Sequence, residues 1–220
     1  MAYPTVDKPY GLKPINLIGG QVFAGATRQR RIASGAASIG YGDPVQLTSS
    51  GTITVSTSTT TPPTAGFAGV FLGCTYVSSI TGQPTYSQAW ISGTSVKSGT
   101  YINAYVADDP NTLFKAVGVS ASLNVSTTSG FVYEDIGANV ALVDEALNTT
   151  TNDSQRGLLL SSVNTTRSLP MRIVDVVPDT AFESGGTTYY PEVIVKFNAP
   201  YTTDTSLIVG GHAYNCPVGI

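Results

Sequence analysis

Two acidic pairs, one histidine and one serine-containing turn are the places where residue type and spacing could support chemistry. Asp108-Asp109 and Glu134-Asp135 would supply the two carboxylates that glycoside hydrolysis needs. Neighbours in an extended chain face opposite sides, so neither pair converges on one substrate, and both read as solvated turn acids. Asp108, Asp109 and Asn111 offer oxygen ligands to calcium but lack the loop pattern of an EF-hand. His212, the one histidine, follows Gly210 and Gly211 and reads as a turn residue, leaving His-based triads and His-rich metal sites a single candidate. Around Ser120 the sequence GVSAS comes closest to a nucleophile elbow, yet serine stands where the final glycine is needed. Phosphate-binding and dinucleotide-binding glycine motifs are missing. Cys74 and Cys216 are too few for a metal site and read as buried thiols. The expectation is a chain with no catalytic residue, metal or cofactor.

The elements that would have to position any such site are strands. GYGDP at 40–44 is a turn cluster, followed by alternating VQLT and, past SSG, by TITVS, which predicts a hairpin. STSTTTPPT at 56–64 has no anchoring side chain and reads as an exposed loop. Residues 70–77 are apolar on both alternating faces, the mark of a strand covered on two sides. DDPN at 108–111 is a type I turn sequence and predicts a second hairpin between strands at 101–107 and 112–119. Val193, Val195 and Phe197 alternate cleanly with Glu192, Lys196 and Asn198, while Met171, Ile173 and Val177 stand opposite Arg172, Val174 and Val176. GLLL at 157–160 reads as a short strand between polar tracts, and 140–147 as a helical turn or two. The fold class is therefore all-β, a barrel or sandwich, with one body over 36–220 and two subdomains meeting near residue 125.

Residues 1–31, MAYPTVDKPYGLKPINLIGGQVFAGATRQRR, are a different kind of segment. Proline at 4, 9 and 14 and the Gly19-Gly20 pair oppose both a helix and a long central strand, so 1–35 is expected to form an extended arm. Its apolar residues, Tyr3, Tyr10, Leu12, Ile15 and Leu17 among them, would be costly to leave in water and call for a partner surface. The five basic residues Lys8, Lys13, Arg28, Arg30 and Arg31 against Asp7 alone give the arm a balance of +4. The remaining six basic and thirteen acidic residues give the body −7, for the overall −3. Such an arm suits an acidic protein surface; its arginines lack the interleaved aromatics and motifs of nucleic-acid binding.

Composition points the same way. Charged residues make up 11% of the chain, where about 25% is usual, and about a quarter are Ser or Thr. A sparsely charged surface suits a protein packed against neighbours better than a free monomer. The first residues contain no apolar stretch of secretory type, so cytoplasmic synthesis is expected, and the apolar run at 66–77 is too short and glycine-rich to span a bilayer.

The arm through RQRRIASG, the turn YGDPVQL, GVFLGCTY with TGQPTYSQAW, AYVADDPNTLFKA, DIGANVAL, TTRSLPMRIVDVV and EVIVKFNAP together resemble structural proteins of tailed bacteriophages, in particular head decoration, or cement, proteins. That resemblance covers most of the chain. It implies a β-rich virion protein, without enzymatic activity, that binds the outside of the capsid lattice through the major capsid protein, commonly as a homotrimer. It implies neither a membrane nor a nucleic-acid role. On this reading Tyr3, Tyr10, Leu12, Ile15 and Leu17 fill apolar recesses of the shell while Arg28, Arg30 and Arg31 meet its acidic surface. The alternative is a head- or tail-fibre-type module that binds a receptor or carbohydrate, with Tyr86, Trp90, Tyr189 and Tyr190 exposed over a groove.

Overall fold

The computed structural model describes residues 6–202 and 208–215, and these form an all-β body. In chain order the strands are β1 (Lys13–Leu17), β2 (Arg28–Arg31), β3 (Pro44–Leu47), β4 (Ile53–Val55), β5 (Phe67–Val77), β6 (Pro84–Ser87), β7 (Asn103–Ala107) and β8 (Thr112–Val119). They continue as β9 (Asn139–Val140), β10 (Leu158–Leu159), β11 (Met171–Val176), β12 (Phe182–Ser184), β13 (Thr187–Tyr189), β14 (Glu192–Phe197), β15 (Tyr201–Thr202) and β16 (Ile208–Val209). Helical structure among the described residues is confined to three single 3-10 turns.

Two six-stranded sheets carry the body. One has the order β1-β8-β14-β11-β9, with β10 running parallel beside β8; the other has the order β2-β7-β5-β3-β4, with β6 beside β5. The main core lies where they meet. Phe67, Val70 and Ala107 of the second sheet join Phe114, Met171, Ile173, Val193, Val195 and Phe197 of the first, and the Phe197 ring stacks on Phe67 at 4.8 Å. The opposite face of the second sheet is also covered: Phe71, Cys74, Ala104 and Val106 pack with Ile32, Ile39, Val45, Ile53 and Trp90. β5 is thus buried on both faces, as its unbroken apolar sequence requires. Its ladder shifts register at Gly69, where φ is 137° and a Cβ would sit 2.3 Å from the Ala107 carbonyl oxygen. Only glycine fits this bulge.

Four local expectations change. Strand β8 has the predicted extent and β7 begins two residues later than expected, at Asn103, but the two do not pair; β7 lies between β2 and β5, and β8 between β1 and β14. The turn at 108–111 therefore carries the chain from one sheet to the other, and the change of sheet falls there rather than near residue 125. Residues 140–147 form no helix; Val140 ends β9 and Leu142 bridges Leu158, because tertiary burial outweighs a weak helical pattern. In β11 the register slips between Ile173 and Asp175, so Val176 enters the core in place of Val177. A bulge shifts the side-chain phase by one residue, which no alternation count anticipates.

The largest change concerns residues 1–35. Tyr3 lies outside the described residues, but the rest of the segment is no free arm: β1 is the edge strand of the first sheet and β2 the edge strand of the second. Pro14 sits in β1, where one side of the strand needs no ladder donor.

Candidate functional site

The N-terminal segment is the place to look for function, and its inner half is fixed by its own body. Gly11 approaches the 40–43 turn so closely that a Cβ would meet the Gly42 carbonyl oxygen at 2.8 Å. Around it the Gly11 amide donates to the Arg156 carbonyl at 3.0 Å and the Leu12 amide to the Gly42 carbonyl at 2.9 Å. Leu12, expected to anchor in a partner, is 1% exposed and belongs to the main core. Tyr10 is half-buried; its hydroxyl donates to Glu192 Oε1, and burial, reinforced by that carboxylate, pushes its pKa far above the usual phenol value. Ile15 and Leu17 are half-buried, with Ile15 at the bulge of β1. These apolar residues thus fill recesses of their own chain, because the two sheets present unfinished edges that the segment completes.

The three arginines lie together on β2, as the segment's charge pattern suggested, but they too have partners within the chain. Arg28 Nε stands 2.8 Å from Asp108 Oδ2 and Arg30 Nη2 3.9 Å from the same oxygen. Tyr214 completes the cluster, its hydroxyl donating to Asp108 and accepting from Arg30. Arg31 caps the Tyr101 ring at 3.5 Å, a cation–π contact. Asp108 is therefore a buried hub of the sheet-switching turn, whereas the neighbouring Asp109 accepts from the Asn111 amide at 2.8 Å in an Asx turn. Charged side chains on β2 also discourage edge-to-edge pairing with another sheet.

What remains open is the middle of the segment. Residues 18–27, between the two edge strands, are exposed except for half-buried Phe23. Ile18 is 49% and Val22 73% exposed. The turn is closed by the Leu17 amide donating to the Gln21 carbonyl at 2.7 Å, across Gly19 and Gly20, both at positive φ.

Other chemistry is turned inward. His212 is a buried ring between Phe197 and Tyr214; its backbone forms a parallel bridge to Phe67, and the turn follows it, with the Asn215 amide donating to its carbonyl, while burial lowers its pKa to about 4, against the opposing pull of Asp108 and Asp109. Glu134 is exposed, while Asp135 Oδ2 accepts from the Val132 amide. Trp90 is 5% exposed in the second core and only Tyr86 stands well out, so the aromatics named for carbohydrate binding form no common platform. Among the described residues no three His, Cys, Asp or Glu side chains group as metal ligands.

A buried arginine went unnoticed in the sequence. Arg156 Nε lies 3.2 Å from Asp43 Oδ1, its Nη2 pairs with Asp144, and its Nη1 donates to the Ser56 carbonyl. Burial holds the Asp43 carboxyl above its ordinary pKa, opposed by Arg156. Nothing in the sequence around QRG at 155–157 marks the residue, since its partners come from three distant loops. Comparison with protein-family models, with curated proteins and with solved structures finds no match.

Proposed function

We propose that this chain is a non-enzymatic structural protein of a tailed-phage virion, which binds the outer surface of the capsid and cements contacts between capsomers as a homotrimer. The observation that carries the reading is the 18–27 turn: one segment edges both sheets and leaves Ile18 and Val22 in solvent on a body of low charge. Isolated exposed aliphatics are ordinary, but a turn that presents two of them from a doubly anchored segment is a rigid, low-entropy contact element. The sequence resemblance to head decoration proteins supports the same assignment. Relative to a free arm, the contact shifts outward, from Leu12 and its neighbours to the turn.

The experiment is the solution mass of the purified chain together with its co-sedimentation with empty heads. Trimers that pellet with heads support cementing. A monomer that ignores heads and is retained on a glycan column would replace it with the fibre-type role.

A further inference from the structure

The outer face of the first sheet collects cations. Phe114, Met171, Ile173, Val193, Val195 and Phe197 point into the main core, so alternation places Lys13, Lys115, Arg172 and Lys196 on the other side. Lys13 stands opposite Lys115 in register, and Arg172 opposite Lys196. Two acids share that face. Glu192 is occupied by Lys115 at 3.1 Å and by the Tyr10 hydroxyl, and Asp175, brought round by the β11 bulge, accepts from the Val176 amide at 2.9 Å. Lys13 rests 4.3 Å over the Tyr10 ring.

Arg172 and Lys196 are left with no ion pair, hydrogen bond or ring contact among the described residues. Like charges directly opposite on neighbouring strands oppose folding, and no carboxylate among the described residues lies within ion-pair distance of either. Both line a cleft of about 360 Å³ whose other walls include Ile18, Ile136 and Val174. Ile18 belongs to the exposed turn described above.

We propose that this cleft docks an extended acidic segment of a partner protein, with carboxylates on Arg172 and Lys196 and intervening apolar side chains against Ile18, Ile136 and Val174. A nucleic-acid strand fits less well. The cleft offers no exposed aromatic for base stacking, and its apolar walls Ile18, Ile136 and Val174 suit side chains rather than a phosphate backbone. The inference stands apart from the cementing role, because it fixes the chemistry of the partner whichever assembly supplies it.

The test is fluorescence anisotropy with the full chain and three labelled probes: a soluble peptide alternating Glu with Val and Ser, the same peptide with Gln for Glu, and a single-stranded oligonucleotide. The Glu peptide should bind, weaken with salt, and bind more tightly than the other two. Replacing both cations, Arg172→Gln with Lys196→Gln, should cost about twofold to thirtyfold, the span of two surface ion pairs. The charge-reversed pair Arg172→Glu with Lys196→Glu should prefer a Lys-for-Glu peptide instead; both double variants should keep the parent's circular dichroism. Equal binding of the Gln peptide, undiminished binding by the Gln double variant, tighter binding of the oligonucleotide, or no binding of the Glu peptide would each overturn the proposal.

Discussion

Arg156 and Arg172 are the same residue type in two opposite settings. Arg156 is 3% exposed and spans three loops through Asp43, Asp144 and the Ser56 carbonyl. Arg172 stands in solvent opposite a second cation. In the interior, charge is fully committed to joining elements; on the outer face it is left available. The N-terminal segment repeats the contrast within a few residues, with Leu12 in the core and Val22 in water.

The contrast breaks most visibly at Arg156. Arg156→Ala should destabilise the fold by about 3–5 kcal/mol, because it strands a buried carboxylate; urea unfolding reads this from the midpoint. A loss below about 1 kcal/mol would show that the cluster is solvated in practice.

Leu12→Ala should cost about 2–5 kcal/mol as a core truncation, while Val22→Ala should stay within about 0.5 kcal/mol and weaken head binding instead. Deleting residues 2–20 removes Leu12 and β1 and should unfold the body. Deletion of residues 2–9 should leave the circular dichroism unchanged.

His212 gives a pH signature. Its folded pKa, about 4, lies below the ordinary value of 6.5, so the unfolded chain binds the extra proton between these limits and stability falls as pH drops from 6.5 to 4. The full loss is of order 3 kcal/mol. Asp43, with its raised pKa, acts in the opposite sense. His212→Gln should flatten the descent across that window in pH-dependent denaturation; an unchanged slope would mean the ring titrates normally.

The smallest effect is expected at the cation pair. Arg172→Gln removes a like-charge neighbour and should leave the unfolding free energy unchanged or raise it by a few tenths of a kcal/mol. A clear loss of stability would reveal an intramolecular partner for Arg172.

Much of the frame was readable from the chain alone. Alternation located β14 and most of β11, the SSG turn placed the β3–β4 hairpin, and the two-sided apolar run identified β5 as central. Local pattern could not tell that the strands around 108–111 part into different sheets, because a type I turn sequence specifies a reversal and not a pairing partner. Nor could it show that 6–31 completes two sheet edges: prolines and glycines correctly excluded a long central strand, but a short edge strand tolerates both. Tyr214, Arg156 and the Arg172–Lys196 pair acquire meaning only through residues far away in sequence.

The central claim is tested most directly by heat. If the proposed cementing role holds, empty heads of the tailed phage whose capsid the chain binds should rupture at a higher temperature as the chain is added, with the gain saturating at a fixed ratio of chain to capsid subunit. Heads that rupture at the same temperature with and without saturating chain would contradict cementing outright.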